Sequence, residues 1–177
     1  MSSDVIELDA IPEVSRPLGL GEGAIFETHV YTTDLTQAMA FYGGALGLHL
    51  AHVVLERRIA FYWMGTHGTA MLGVWEVPAD QWRRSHFAFR IAADEIPSAA
   101  DRLQAAGIPM LDFFGKATKD PTVHTWMPAC GIFFRDPDGN SLEFVAMLPD
   151  AGDLTQAVVP LSVWCEQHGR ECSLDGC

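Results

Sequence analysis

The most informative segment of the sequence is GIFFRDPDGNSLEFVAM, Gly131–Met147. Two apolar runs flank Asp136–Gly139, which has Asp, Pro and Gly at the first, second and fourth positions that a type I turn prefers. The turn fixes the register of the strand behind it, so Leu142 and Phe144 face one side while Glu143 faces the other. An isolated buried carboxylate is costly unless it is paired or binds a metal, so Glu143 is the first candidate ligand.

The chain contains an internal repeat. Residues 27–50 and 85–110 each begin as a strand with a single His near its start. In the first copy, apolar residues recur at helical spacing behind Asp34, a good N-cap. In the second they do so behind Asp94, with Pro97 in the first turn, where proline is tolerated. One structural plan is therefore predicted twice.

Each predicted helix ends at glycine and is followed by strand-like runs. The predicted stops are Gly43-Gly44 in the first half and Gly107 in the second. Each half is therefore predicted to be a βαβββ module. The predicted division of the chain is a lead-in over residues 1–22, a single domain over 23–148 (module one 24–77, module two 83–148), and an appendage over 149–177 with a short helix near 161–165.

Composition limits the classes of partner. The chain has 177 residues, a net charge of −12, 49% hydrophobic residues and 19% charged residues, which favours a packed core and disfavours nucleic acid or an anionic membrane as partner. The start of the chain lacks the basic and apolar pattern of a signal peptide, and no apolar run reaches membrane-spanning length. We therefore expect a cytoplasmic protein.

The cysteines do not form a familiar motif. Cys130 stands alone, while Cys165, Cys172 and Cys177 lie near the C-terminus with His168 among them. Three Cys and one His can bind zinc, but the paired CxxC spacing of most such sites is missing. Ordinary thiols are the favoured interpretation, and a zinc site is the alternative.

The alternation of strand faces predicts a metal triad. One face of each of three strands is apolar, and the other face is mixed and carries one metal-binding candidate. The mixed faces hold Glu27, His29 and Tyr31 on the opening strand, His86, Ala88 and Arg90 on the strand after the linker, and Ser141, Glu143 and Val145 on the last. Two His and one carboxylate form a known metal triad that leaves coordination positions open.

Three segments also resemble a known superfamily. AMAFYGGALGLHL (38–50), SHFAFRI (85–91) and GIFFRDPDGNSLEFVA (131–146) resemble the vicinal oxygen chelate superfamily. Its members include glyoxalase I, fosfomycin-resistance thiol transferases, extradiol dioxygenases, methylmalonyl-CoA epimerase and bleomycin-binding proteins. The resemblance covers residues 24–148.

This resemblance implies a fold and a cofactor. The fold is α+β, with paired βαβββ modules forming a cupped, partly open mixed β-barrel with helices outside. The barrel would hold one divalent metal ion, with Fe, Mn, Ni, Zn and Co not distinguished. The implied ligands are His29, His86 and Glu143, and the resemblance also suggests a homodimer that binds a small-molecule substrate.

The chain departs from the glyoxalase I pattern at one ligand. Gly73 occupies the repeat position equivalent to Glu143, where glyoxalase I has a fourth, carboxylate ligand. Gly73 cannot bind metal, and Glu76 lies on the opposite strand face. The expected centre has three protein ligands and so is more similar to the fosfomycin transferases or the extradiol dioxygenases.

Each of these relatives also differs from the chain. A fosfomycin transferase has a cationic pocket that holds a phosphonate. The only candidates for such a pocket in this chain are Lys116, Lys119 and Arg90. A dioxygenase needs an acid–base His, for which His124 is suitable, and a Tyr, whose position is Phe133 here.

Further residues are candidates for catalysis or substrate binding. His124 and Tyr31 are the catalytic candidates, and Arg90, Trp63 and Trp75 are the substrate-binding candidates. For each, a purely structural role is the alternative, and Glu27 is interpreted as a rim residue rather than a base.

Three functions follow from the sequence. The first is a metal-dependent glyoxalase-like enzyme, of lyase, isomerase or thiol transferase type, in which the metal polarises a small oxygen-rich substrate. The second is an Fe(II) extradiol-type dioxygenase with His124 as acid–base. The third is a non-catalytic binding protein of the bleomycin-resistance type.

Overall fold

A computed structural model describes residues 25–170, so the predicted lead-in and Cys172 and Cys177 lie outside the described residues. Within this range no helix has the length and hydrophobicity needed to cross a bilayer. In chain order the elements are β1 Glu27–Thr32, α1 Leu35–Met39, β2 His49–Val54, β3 Ile59–Trp63, β4 Met71–Glu76, β5 His86–Arg90, α2 Ile96–Ala105, β6 Thr122–His124, β7 Ala129–Arg135, β8 Ser141–Met147, β9 Val158–Pro160 and α3 Leu161–Gln167.

The strands form two mixed sheets, as the repeat predicted. The first has the order β1-β4-β3-β2 and the second β5-β8-β7-β6-β9. In each sheet the opening strand of the module pairs in parallel with its last strand, β1 with β4 and β5 with β8. The α+β fold of paired modules is confirmed, and the sheets described do not close into a barrel.

The first helix begins as predicted but ends later. The Asp34 carboxylate accepts a hydrogen bond from the Gln37 backbone N–H at 3.0 Å, which confirms the N-cap. The predicted stop at Gly43-Gly44 is wrong, because α1 continues as a π-helix over Ala40–Ala45. Gly47 at φ +69° follows the end of this helix, in a left-handed conformation that glycine adopts without strain.

The second helix begins differently from the prediction. A 3₁₀ turn over Ala93–Glu95 precedes α2, and the Glu95 carboxylate closes this turn by accepting a hydrogen bond from the Ala92 backbone N–H at 2.9 Å. Helix α2 itself begins after Glu95 without a side-chain cap, so Asp94 is not its N-cap. Pro97 lies in the first turn of α2, as predicted. Gly107 at φ +69° follows the helix end and confirms the predicted stop.

The Asp136–Asn140 turn joins the two modules as well as setting the register of β8. The Asp138 carboxylate accepts hydrogen bonds from both Thr32 and Thr33 at the end of β1. The buried hydroxyl of Tyr42 donates to Asp136 at 2.8 Å. Burial and the Asp136 carboxylate raise the pKa of Tyr42, so the hydroxyl keeps its proton and remains the donor.

The segment after residue 149 extends the second sheet. Strand β9 pairs antiparallel with β6, and helix α3 follows it, near the position of the predicted short helix. Trp164 in α3 is fully buried, and its indole N–H donates to Asp150 at 2.9 Å. Arg170 contacts the same carboxylate at 2.6 Å, so Asp150 connects both ends of this segment.

Replacing Asp150 by Asn is expected to lower the melting temperature at neutral pH. Burial disfavours the charged Asp150 carboxylate, but the hydrogen bonds from Trp164 and Arg170 outweigh this and lower its pKa. A lowered folded-state pKa stabilises the protein above the unfolded value of about 3.9 and loses this effect as the pH falls through the folded-state pKa. The melting temperatures of wild type and D150N should therefore converge in acid. A constant difference from pH 7 to pH 3 would contradict this assignment.

Candidate metal centre

Glu143 lies at the centre of the mixed face of the second sheet. It is 4% exposed, between β5 on one side and β7 on the other. Its Oε1 lies 3.2 Å from Nε2 of His124, and its Oε2 lies 3.7 Å from Nε2 of His86. The structure thus brings two imidazoles to the two oxygens of one buried carboxylate.

A glycine in β7 makes room for this carboxylate. A β-carbon on Gly131 would overlap Oε1 of Glu143. Glycine within a strand often marks such a close approach of another group. Gly131 is therefore a signal in the sequence for the Glu143 site, and the sequence reasoning did not use it.

The His86 ring is oriented by a backbone contact. Its Nδ1 lies 3.1 Å from the carbonyl oxygen of Ser141, the register partner of His86 on β8. Phe133 stacks against the ring, with 6.2 Å between the centroids. Metal-binding histidines commonly donate one N–H to such an acceptor and bind through the other nitrogen. In His86 the backbone contact involves Nδ1, and Nε2 is the nitrogen that faces Glu143.

His124 is close to Glu143, although the sequence could not place it there. It ends β6, and its side chain is buried against the rings of Phe113 and Phe133, with centroids 5.6 Å and 5.9 Å away. The aromatic surroundings and the 3.2 Å contact with Glu143 make His124 part of the same cluster as His86.

His29 lies in the other sheet. Its Nε2 is 2.7 Å from Oε1 of Glu27, and its ring is 5.3 Å from that of Trp75. Both members of the pair are partly exposed, with 37% of the His29 side chain accessible. Glu27, interpreted from sequence as a rim residue, is thus the polar partner of a predicted ligand.

The donor atoms fit a first-row divalent metal. Two imidazoles beside a buried carboxylate are the ligand types that Fe, Mn, Ni, Co and Zn accept in proteins. Glu143 has only imidazole partners among its described contacts, and a cation would neutralise it. Over residues 25–170, no three His, Cys, Asp or Glu side chains already converge as a complete site. Of the three predicted ligands, the structure brings His86 and Glu143 together in the second module.

The other predicted site residues are spread over both sheets. Tyr31 is 37% exposed on β1, and Arg90 lines a separate cavity beside Met147. Trp63 packs against His67 in a tilted arrangement, with 4.2 Å between the ring centroids, and the guanidinium of Arg57 lies over the Trp75 ring, 4.7 Å from its centroid. The indole N–H of Trp75 is buried without a hydrogen-bond partner among the described residues.

A cavity of ≈ 340 Å³ lies next to His86, and sequence reasoning missed part of its lining. Arg84 and Arg135 supply positive charge, and Phe113 and Phe133 supply apolar surface. The sequence did not single out these arginines, because Arg84 lies in the linker and Arg135 lies just before the turn. Neither is at a strand position where a ligand was predicted. The cavity thus places two arginines and the carboxylate of Asp112 beside His86.

The Glu76 carboxylate is held by other partners in the first module. It receives a two-point contact from Arg58, with Nη2 to Oε2 at 2.6 Å and Nε to Oε1 at 2.9 Å, and it accepts a hydrogen bond from the Leu35 N–H at 2.7 Å. The hydrogen bond from Arg58 and that from the Leu35 backbone lower the pKa of Glu76. This carboxylate serves structure, as expected from its place on the opposite strand face.

Comparison with solved structures gives several neighbours of the same architecture. An integron cassette protein from the mobile metagenome of the Halifax Harbour sewage outfall is 28% identical, with a TM-score of 0.61 over 71% of this chain and 99% of its own. A lactoylglutathione lyase from Agrobacterium tumefaciens is 25% identical, with a TM-score of 0.54 over 70% and 93%. A glyoxalase/bleomycin resistance protein/dioxygenase from Nocardioides is 25% identical, with a TM-score of 0.54 over 81% and 92%.

Sequence comparison identifies the family. No curated protein matches the chain. Residues 24–144, more than half of the chain, match the family described as the Glyoxalase/Bleomycin resistance protein/Dioxygenase superfamily. With two βαβββ modules and neighbours of the same architecture, the chain belongs to the glyoxalase/bleomycin resistance protein/dioxygenase superfamily.

Proposed function

We propose that this protein is a metal-dependent glyoxalase-like enzyme, of lyase, isomerase or transferase type, acting on a small oxygen-rich substrate. The observation that carries the proposal is the buried Glu143 carboxylate with His86 and His124 at its two oxygens. His86 and Glu143 would hold a divalent metal, together with a donor from the first module, for which the sequence predicts His29. The metal would polarise substrate oxygens as a Lewis acid.

The cavity beside His86 supports an anionic substrate with an apolar part. Arg84 and Arg135 would pair with a carboxylate or phosphonate, since guanidinium groups bind such groups through paired hydrogen bonds. Phe113 and Phe133 would cover the apolar part and exclude water. Arg90, Trp63 and Trp75, predicted from sequence, remain second choices because they lie around other surfaces.

His124 is the proposed general acid–base. Its Nε2 is within 3.2 Å of Glu143, so it is next to the carboxylate that would bind the metal. Imidazole is the side chain most often used for proton transfer near neutral pH. Tyr31, on the same face of β1 as Glu27 and His29, is the second proposed proton donor.

One observation favours a second function, an Fe(II) extradiol-type dioxygenase. That reaction needs an acid–base His at the metal, and His124 lies beside Glu143. The third function, a binding protein without turnover, would use the same cavity and would not need Glu143.

Metal content separates these functions. We expect the protein, purified without oxygen, to contain about one equivalent of a divalent metal per chain, measured by mass spectrometry of the metals. Manganese, nickel, cobalt or zinc, with no oxygen uptake on catechols, would support the lyase–transferase function. Iron with oxygen uptake would support the dioxygenase. No metal after reconstitution would overturn both enzyme functions and leave the binding protein.

A homodimer is also proposed, as the sequence resemblance implied. The candidate histidine ligands of both modules are partly exposed, with 37% of the His29 side chain and 53% of the His86 side chain accessible. A second copy could therefore approach either face. Light scattering on the purified protein checks the mass, and a monomer at micromolar concentration would contradict this part of the proposal.

A further inference from the structure

The C-terminal segment, residues 149–168, lies beyond the family domain. The family match ends at residue 144, and strand β9 and helix α3 follow it in the chain. This segment nevertheless packs against the second module, because β9 pairs with β6 and the side chain of Trp164 in α3 is fully buried. Its contacts with β6 bear on His124, the last residue of that strand.

The C-terminal segment is bonded to the start of β6 and runs along its edge. Just before β6, the Asp120 carboxylate accepts hydrogen bonds from the Ser162 hydroxyl at 2.6 Å and from the Ser162 backbone N–H at 3.2 Å. Along the strand, β9 pairs antiparallel with β6 and places Val158 opposite His124. A strand as short as Thr122–His124 makes few hydrogen bonds of its own, so pairing on both sides decides how firmly it is held.

Thr125, directly after His124, is the connection at the other end of β6. It is 0% exposed. Its hydroxyl lies 2.8 Å from the carbonyl oxygen of Asp153 and 2.5 Å from that of Gln156, so its single proton can be donated to either. Its carbonyl oxygen accepts a hydrogen bond from the Asp153 N–H at 2.9 Å. The side chain and the backbone of Thr125 are thus both bonded to the C-terminal segment.

These contacts fix the direction of the His124 ring. Val123, on the opposite face of β6, is fully buried in the core. The His124 ring packs against Phe113 and Phe133, and its Nε2 lies 3.2 Å from Oε1 of Glu143. A displacement of about 1 Å is enough to remove much of the effect of a catalytic group, so the support of the backbone matters for proton transfer.

We propose that the C-terminal segment positions His124 for proton transfer, with Thr125 as the positioning residue that connects them. This rests on the proposed function, in which His124 is the general acid–base. His86 and Glu143 lie on β5 and β8, which pair directly with each other and not with β9. A change at Thr125 should therefore affect His124 and leave the predicted ligands His86 and Glu143 in place.

The test is the rate at which His124 in the full chain reacts with diethyl pyrocarbonate, which acylates imidazole nitrogens, with the site identified by peptide mass spectrometry. The His124 side chain is 11% exposed, so its reaction depends on local opening. We expect Thr125→Val, which keeps the shape and removes the hydroxyl, to raise the His124 rate at least about 10-fold. Thr125→Ser keeps the hydroxyl and should restore the wild-type rate.

Two variants in the first module are the controls. The Thr69 hydroxyl makes the same type of contact, 2.8 Å from the Met64 carbonyl oxygen and 2.6 Å from that of Thr66, so Thr69→Val should leave the His124 rate unchanged. Val74→Ala removes buried volume from β4, in the other sheet, and lowers the melting temperature. It should also leave the His124 rate at the wild-type value, because it does not alter the C-terminal segment.

Ser162→Ala tests the other end of β6 with a milder change. Ser162 is exposed, and the variant loses only the 2.6 Å contact of its hydroxyl with Asp120. We expect the His124 rate to rise about 3-fold, less than for Thr125→Val, because the lost hydrogen bond is open to solvent. If Thr125→Val does not fold, Ser162→Ala decides the proposal by itself.

The outcomes separate this inference from the function on which it rests. A wild-type His124 rate in Thr125→Val would overturn the positioning role, and so would equal rates in Thr125→Val and Thr125→Ser or an equal rise in Val74→Ala. Titration with Co²⁺ should give the same affinity for Thr125→Val as for the wild type. A wild type that binds no metal would overturn the proposed function, and the His124 rates would still decide whether the C-terminal segment positions this side chain.

Discussion

Glu143→Gln is expected to weaken divalent metal binding at least about 100-fold and to raise the free energy of unfolding of the metal-free protein by about 1 kcal/mol. The change keeps the size of the side chain and removes its charge. In the metal-free protein, the 4%-exposed carboxylate has a contact of 3.2 Å with His124 and one of 3.7 Å with His86. A neutral amide avoids burying that charge, so metal binding should weaken while the free energy of unfolding rises.

The matched control is Glu76→Gln on β4. Glu76 is held by Arg58 and by the Leu35 N–H, so loss of its charge should lower stability and leave metal binding unchanged. Urea unfolding of both metal-free variants and calorimetric titration with Co²⁺ measure the two effects. Retained metal binding in Glu143→Gln, together with a loss of stability, would make Glu143 a structural residue and contradict the metal centre.

The sequence could predict the second-module part of this site because it depends on local rules. The turn at Asp136–Gly139 sets the register of β8, and alternation then places Glu143 on the same face as His86. Both rules act over a few residues, and the strand pairing agrees with them. Gly131 carried a further signal, since a glycine within a strand indicates the close approach of another side chain.

The first-module part of the site depends on how far along β1 each side chain lies. The alternation of strand faces does not determine this position. Glu27 and His29 share a face, and only the pairing with Met71 and Gly73 shows which of them matches His86. The predicted stop at Gly43-Gly44 failed for a related reason. The π-helical segment Ala40–Ala45 includes both glycines, so the helix ends after them rather than at them. Residue spacing alone does not reveal a π-helical turn.

His124 shows a third limit. It lies in a three-residue strand after a long connection, so no periodic pattern fixes its position. Its contact with Glu143 crosses β7, where Gly131 leaves the space that the carboxylate fills. Such a contact between distant segments follows from strand order in the sheet, which the sequence does not specify by itself.

Asn140→Ala is expected to lower the free energy of unfolding by about 4 kcal/mol, the largest stability effect predicted here. Asn140 is fully buried. Its Oδ1 accepts from the Ser85 N–H at 2.8 Å, and its Nδ2 donates to the Tyr31 carbonyl at 2.9 Å and to Asp136 at 2.8 Å. Alanine removes all three hydrogen bonds and leaves their partners without compensation. Urea unfolding measures the change, with the exposed Gln104→Ala in α2 as a control expected to cost less than about 0.5 kcal/mol.

The same amide also connects the two strands that carry the predicted histidine ligands. Asn140 connects the end of β1, which carries Glu27 and His29, to the residue that precedes β5 and His86. Loss of this connection should therefore weaken Co²⁺ binding as well as stability, although Asn140 is not a donor in the proposed centre. If Asn140→Ala were destabilised as expected but bound Co²⁺ with wild-type affinity under folding conditions, the Asn140 connection would serve stability alone. The predicted ligands of each module would then be positioned by their own sheet.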